Sequence, residues 1–248
     1  MEIVFPQRVS TDGEKGFAVK WFWEGRYLYM KALDFIREEI AVVRDRDPAI
    51  HSDMEVFLYP SFHAILHYRL AHRLYEKKHY FLARWISQRA AHTTGIEIHP
   101  GAKIGKGLFI DHGHGVIIGE TTIIGDNCTL YQGVTLGGNG KEKGKRHPTI
   151  GKNVMISAGA KVLGSFTIGD NVKVGAGAVV ITPVPDNCTV VGVPGRIVKR
   201  NNVRSPQEDL EQINLPDPVK QEIQEIRKEQ HRLMEEVEQL KQKLNQAE

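Results

Sequence analysis

Five short stretches of this chain carry side chains suited to moving protons and holding charged groups. They are Asp47, Glu97 with His99, Asp111-His112-Gly113-His114, Gly137-Gly138, and Arg146-His147. A carboxylate bonded to one imidazole nitrogen fixes the tautomer and leaves the other nitrogen basic, the arrangement of a general base. Glu97 and His112 stand 15 residues apart, close to one turn of the repeat that surrounds them, so the two are expected to meet on neighbouring coils. Arg146 offers a planar fork that matches a substrate carboxylate. Asp47 and Asp111 are suited to accept from an ammonium group, and the two glycines expose backbone N–H groups toward an oxyanion. On spacing alone, each of these side chains is as readily structural as functional. His63 and His67 lie four apart, a spacing found in metal sites. No acidic residue or third histidine joins them at short range, so packing is the better reading.

The element that must position these groups is a repeat from Ile98 to about Val193. Apolar residues recur every six positions at Ile98, Ile104, Ile110 and Val116; a two-residue slip resets the frame to Ile118, Ile124, Leu130 and Leu136. After an interruption the period resumes at Ile150, Ile156, Val162, Ile168, Val174 and Val180. Six residues make one short strand and a tight turn, and three such units close a triangular coil. The stretch therefore predicts a left-handed parallel β-helix of roughly five coils. A β-sandwich would not hold its strands in phase over this length, and an amphipathic helix needs spacings of three and four. The interruption, residues 137–149, is Gly-rich and basic and must project as a loop, where function tends to concentrate.

The fold class expected is α+β. An N-terminal extension covers 1–28, with an aromatic cluster from Trp21 to Tyr29. An α-helical domain covers 29–94, with helices over about 29–46, 59–77 and 81–93; Pro48 forces the end of the first. The β-helix covers 95–200 and a Pro-containing linker 201–218. A heptad then runs over 219–248: Ile223, Gln230, Val237 and Leu244 at one seam position, Val219, Ile226, Leu233 and Leu240 at the other, the pattern of a coiled coil. Composition adds exclusions. A formal charge of +3 over 248 residues, with no basic stripe interleaved with aromatics, argues against nucleic-acid binding. Cys128 and Cys188 have no CxxC spacing and read as reduced thiols of a cytoplasmic protein. No apolar run approaches the roughly 20 residues of a membrane span, and no signal peptide is evident.

The runs Gly95-Ile96-Glu97-Ile98-His99-Pro100-Gly101-Ala102, Ile110-Asp111-His112-Gly113, Gln132-Gly133-Val134-Thr135-Leu136-Gly137-Gly138 and Lys145-Arg146-His147-Pro148 resemble those of serine O-acetyltransferases. Arg46-Asp47-Pro48-Ala49 and Pro60-Ser61-Phe62-His63-Ala64 are similar to the family's helical domain. The resemblance covers roughly residues 30–200. It implies transfer of acetyl from acetyl-coenzyme A to the hydroxyl of L-serine, giving O-acetylserine for cysteine biosynthesis, with L-cysteine as a feedback inhibitor. His112 would be the base, with Glu97 where the family has an aspartate. Asp47 and Asp111 would hold the substrate ammonium, and Arg146 and His147 its carboxylate. Coenzyme A would touch Gly138, Ala158, Gly159, Lys173 and Ala176 between two subunits of a homotrimer, with no metal. The family's partner, O-acetylserine sulfhydrylase, takes a C-terminal Ile that Asn245-Gln246-Ala247-Glu248 lacks. The heptad tail is expected to act instead as a trimer clamp.

Three other readings fit the residues less well. A trimeric β-helix carbonic anhydrase would need a His pair on a later coil to hold zinc, and the later coils have none. Another hydroxyl or amino acceptor fits Arg146 and the two aspartates less well than an amino acid does. An inactive scaffold leaves the Glu97, His112 and Arg146 set without a purpose.

Overall fold

The computed structural model describes residues 34–140, 143–200 and 218–245. The 1–28 extension with its aromatic cluster, all of the linker but its last residue, and residues 246–248 lie outside the described residues.

Helix α1 covers 34–46 and stops at Asp47-Pro48, as the proline requires. A 3-10 helix, Asp53–Leu58, was not foreseen. Helix α2 is Pro60–Glu76, with the proline at its first turn where no N–H partner is needed. Helix α3 is Tyr80–Thr94, closed by Gly95 in the left-handed region.

Fourteen strands then wind a parallel β-solenoid, and a fifteenth closes it. One face stacks β1 (Ile96–Ile98), β4 (Val116–Ile118), β7 (Thr135–Gly137), β10 (Lys161–Leu163) and β13 (Val179–Val180). The second stacks β2 (Lys103–Ile104), β5 (Ile123–Ile124), β8 (Thr149–Ile150) and β11 (Thr167–Ile168). The third stacks β3 (Phe109–Ile110), β6 (Thr129–Leu130), β9 (Met155–Ile156), β12 (Lys173–Val174), β14 (Cys188–Val191) and β15 (Arg196–Arg200). The hexapeptide residues become three interior ladders. Ile98, Ile118, Leu136, Val162 and Val180 stack on the first face. Ile104, Ile124, Ile150 and Ile168 stack on the second, and Ile110, Leu130, Ile156, Val174 and Val190 on the third. All are buried, so the six-residue period is the core.

The corner between the second and third faces is locked by asparagines. Asn127, Asn153, Asn171 and Asn187 all adopt positive φ, which asparagine tolerates better than most side chains. Asn153 Nδ2 donates to Asn171 Oδ1 at 3.1 Å, and Asn171 Nδ2 to Asn187 Oδ1 at 3.0 Å.

Side chains of α2 and α3 satisfy carbonyls of the first coil. Buried Tyr68 donates to Ala102 O at 2.7 Å, His72 bonds Pro100 O at 2.7 Å, and Ser87 donates to Ile98 O at 2.7 Å. Arg69 donates to Ile104 O and Gly105 O at 2.7 and 2.6 Å. At the far end β15 reverses direction and pairs antiparallel with β14, an element the sequence reading did not separate. Helix α1 is tied to the third face: Arg46 donates to Cys128 O at 2.9 Å and to Thr129 Oγ1 at 3.0 Å. Phe109, outward on that face, joins a cluster with Val43, Val56 and Phe62. The last described element is α4, Pro218–Asn245, within the heptad stretch.

Candidate active site

The solenoid exceeds an 18-residue coil twice, and both insertions carry charged candidates; the last coil is shorter, with 16 residues from Val174 to Val190. Eighteen residues separate Ile118 from Leu136 and Val162 from Val180. Twenty separate Ile98 from Ile118, and twenty-six separate Leu136 from Val162. The first excess lies in the corner Asp111–Gly115, between β3 and β4; the second is the 137–149 loop, between β7 and β8.

At the first corner the chain bulges outward on His112, whose φ is 57°. Unlike the corner asparagines, a histidine gains little from a left-handed backbone, so its place here marks a constrained corner. Gly113 follows at φ 75°, and a Cβ there would stand 2.4 Å from Ile96 Cδ1, so only glycine lets the bulge close onto the core. The result is an imidazole that is 74% exposed, with Nε2 3.8 Å from Asp111 Oδ1. Asp47, next to the Arg46 anchor, lies within electrostatic reach of Asp111; its Oδ1 accepts from Ala49 N–H at 2.8 Å and its Oδ2 from the Tyr59 hydroxyl. That bond, with partial burial, pushes the Tyr59 phenol up to about 12. Burial raises Asp111 above the ordinary carboxylate range, and the neighbouring Asp47 charge adds to the rise while His112 opposes it. Two carboxylates close enough to feel each other's charge favour a cation at the corner.

The same corner continues down the solenoid as a strip of small residues: Gly115, Gly133, Ala158-Gly159 and Ala176-Gly177. Gly159 N donates to Gln132 O, and Gly177 N to Ala158 O, both at 2.8 Å. A Cβ at Gly159 or Gly177 would meet nothing within 4 Å. The strip is a shallow track with its head at His112.

The second group gathers at the corner between the first and second faces. Thr121 organises it. Its Oγ1 accepts from Arg146 N–H at 3.0 Å and His147 N–H at 3.1 Å, and lies 2.9 Å from His147 Nδ1. The Thr121 N–H also donates to that nitrogen, at 3.2 Å, which leaves the His147 proton on Nε2. The His147 ring is buried over Gly119, where any Cβ would overlap it, and beside Gly138. Burial, then the Arg146 charge, holds His147 below its ordinary value. Arg146 donates to Glu120, which also accepts from Tyr75 Oη at 3.0 Å; the Arg146 bond pulls the Glu120 carboxyl down. His99 sits in the same wall, with Nδ1 accepting from Gly101 N–H at 3.0 Å. Tyr75, Tyr80, Arg84, His99, Pro100 and Glu120 line a cleft of about 320 Å³.

The structure thus brings Asp47, Asp111 and His112 together, and separately Arg146, His147 and Gly138. Within one chain it gives Glu97 and His112 no bond to each other. Glu97 projects from β1 with Ile117 directly beneath it, and its Oε1 accepts from Arg84 and Gln88 at 3.2 Å each. The coenzyme candidates divide likewise: Ala158, Gly159 and Ala176 lie on the strip, Gly138 at the other corner, and Lys173 is buried on the third face. Tyr59, Tyr75, Glu120 and Thr121 were missed; Glu120 and Thr121 lie inside an unbroken hexapeptide between Ile118 and Ile124, so the period gave no signal for them. Among the described residues no group of three or more His, Cys, Asp or Glu side chains could hold a metal. His63 and His67 spend ring nitrogens on the carbonyls of Phe57 and His63, at 2.7 Å each. No described helix is long and apolar enough to cross a membrane.

A parallel solenoid whose charged groups sit where its hexapeptide period breaks is the architecture of the hexapeptide-repeat transferases. Residues 147–182 match the bacterial transferase hexapeptide family (six repeats). The serine acetyltransferase of Bacillus subtilis (strain 168) is 54% identical over 212 residues, covering 85% of this chain and 97% of that protein. A serine acetyltransferase structure in complex with cysteine superposes with a TM-score of 0.73 at 40% identity, covering 79% of this chain and 77% of that one. The serine acetyltransferase of Brucella abortus strain S19 in complex with coenzyme A gives 0.66 at 40% identity, covering 76% and 74%. The chain belongs to the serine acetyltransferase family and is an acyltransferase.

Proposed function

We propose that this chain transfers acetyl from acetyl-coenzyme A to the L-serine hydroxyl, as a homotrimer whose active sites are each shared by two copies. The observation that carries the shared site is the division just described: a cation-holding corner with an exposed imidazole, and a separate corner with guanidinium and imidazole N–H donors. Neither alone can hold an amino acid at both ends. Faces one and two leave Ile117 and Ile123 44% and 39% exposed, whereas the outward residues of the third, from Phe109 to Thr189, are buried. Copies packed through the first two faces would bring one copy's His112 corner against the next copy's Arg146 corner.

In that arrangement Asp47 and Asp111 hold the substrate ammonium, and Arg146 and His147 the carboxylate. His112 takes the hydroxyl proton as the oxygen attacks the thioester carbonyl. Glu97 of the adjoining copy is the carboxylate that would orient the imidazole. The oxyanion faces backbone N–H groups near Gly138. Collapse of the tetrahedral intermediate breaks the C–S bond, and the imidazolium returns the proton to the departing thiolate. The products are O-acetyl-L-serine and coenzyme A. The pantetheine arm lies along the strip of Ala158, Gly159 and Ala176, with Lys173 on the adjoining face. The cysteine complex of the related structure supports L-cysteine as an inhibitor in the serine site. The buried free thiols of Cys128 and Cys188 support a cytoplasmic setting. The sulfhydrylase partnership finds no support in the described residues.

The test mixes two inactive variants. His112→Ala and Arg146→Ala, denatured together and refolded at equal amounts, should regain about a quarter of wild-type serine-dependent thiol release. In random trimers, three quarters of the assemblies then contain one intact site of three. Refolded mixtures as inactive as the separate variants would reject the shared site. Loss of serine-dependent release from the unmutated protein, with release on another acceptor, would reject the substrate.

A further inference from the structure

Helix α4 presents a seam that the catalytic reading leaves unused. Ile223, Ile226, Leu233, Val237 and Leu240 follow the 3-4 spacing and are 44–63% exposed. A stripe of this kind on a 28-residue helix has to be covered by something. The flanking charges say what covers it. With Ile223, Gln230 and Val237 at a, the g positions are Glu222, Glu229 and Glu236. The e positions in the same span are Arg227, Met234 and Lys241. In a parallel assembly of identical helices each g residue faces the e residue five positions later on its neighbour. Glu222 then meets Arg227, Glu229 meets Met234, and Glu236 meets Lys241. No like charges meet. In an antiparallel pair g faces g and e faces e, which sets glutamates against glutamates and Arg227 and Lys241 against basic groups.

We infer that α4 is a self-recognition element: it packs in parallel, in register, against the α4 helices of other copies of this chain. The polar Gln230 at a single a position fixes that register. Strand number is divided along the seam: Ile223 and Ile226 in the first half favour more than two strands, while Val237 at a with Leu233 and Leu240 at d favours two. The strand number of three rests on the trimer proposed above; the parallel orientation does not. At its base, Glu222 is also paired with Arg196 of β15 in the same chain, so the helix starts from a defined point on the solenoid's last strand. Further along, Glu229 and Glu236 share Arg232 within the helix, at 2.6 and 3.9 Å.

Full-length protein carrying Leu240→Cys tests this, because the native thiols Cys128 and Cys188 are buried. Parallel helices bring the new thiols together, so oxidation in a glutathione buffer should yield chains linked at residue 240. Antiparallel helices, or a helix folded back on its own chain, would keep them apart. In that background Glu236→Lys and Lys241→Glu should each lower the linking equilibrium by about tenfold, and the double exchange should restore it. No linking at 240, or a double exchange no better than either single one, overturns the inference. Efficient linking in a protein that sediments as a dimer supports parallel pairing while overturning the threefold reading.

Discussion

Thr121→Val would separate the geometry of the second corner from its mere presence. Valine keeps the shape of threonine but removes one hydroxyl. That hydroxyl accepts the N–H groups of Arg146 and His147 at 3.0 and 3.1 Å and lies 2.9 Å from His147 Nδ1. At roughly 1 kcal/mol net for each bond the loss is about 3 kcal/mol, borne by the segment that projects from the solenoid rather than by its ladders. Spent on displacing Arg146 and His147, that energy corresponds to about a hundredfold fall in kcat/KM. The assay is serine-dependent thiol release beside a thermal melt. Activity should collapse while Tm moves by only a few degrees, and Thr121→Ser should retain most of the activity. A valine variant within threefold of wild type, or a serine variant equally impaired, would refute the role given to this hydroxyl.

Two further outcomes follow from packing and charge. Gly159→Ala places a methyl group in the open track below His112, where the structure has nothing within 4 Å, at a φ of 69° that also costs the fold roughly 1 kcal/mol; KM for acetyl-coenzyme A should rise severalfold with KM for serine nearly unchanged, and the reverse pattern would place the pantetheine arm elsewhere. Glu39 is buried, and desolvation lifts its carboxyl to about 7. The folded chain therefore binds a proton that the unfolded chain has already lost between pH 4.5 and 7, and stability falls as pH rises through that window. Glu39→Gln should be more stable than wild type by up to about 3 kcal/mol at pH 8, and the gap should shrink toward pH 5; melts with a pH-independent difference would contradict it.

The interior ladders were readable because each six-residue unit repeats one geometric demand, and the structure places every residue of that period inward. Helix ends fell within a few residues of expectation where Pro48, Pro60 and Gly95 mark them. The reversal of β15 was not visible, since one short closing strand carries no period. The corner held by Thr121 was hidden for another reason: its partners are 25 and 26 residues away, across an insertion of unknown path. Spacing also misled at Glu97 and His112. Fifteen residues approximates one coil, but this coil has twenty, so Ile117 rather than His112 comes to lie beneath Glu97. Even a regular 18-residue coil would have set Gly115 there; the two extra residues add to that offset and lie in the corner where His112 turns outward.

A solenoid has a liability that a closed barrel does not. Its first and last coils are open rims of strand backbone, and every coil resembles the next, so one molecule's last coil is a template for another's first. Copies could stack end to end without limit. The hydrogen bonds from Tyr68, Arg69, His72 and Ser87 occupy carbonyls of the first coil, and the antiparallel β15 covers the last parallel strand of the third face, so neither end offers a bare parallel template. Copies that associate would then meet sideways or through their last helices, and an assembly of that kind is finite.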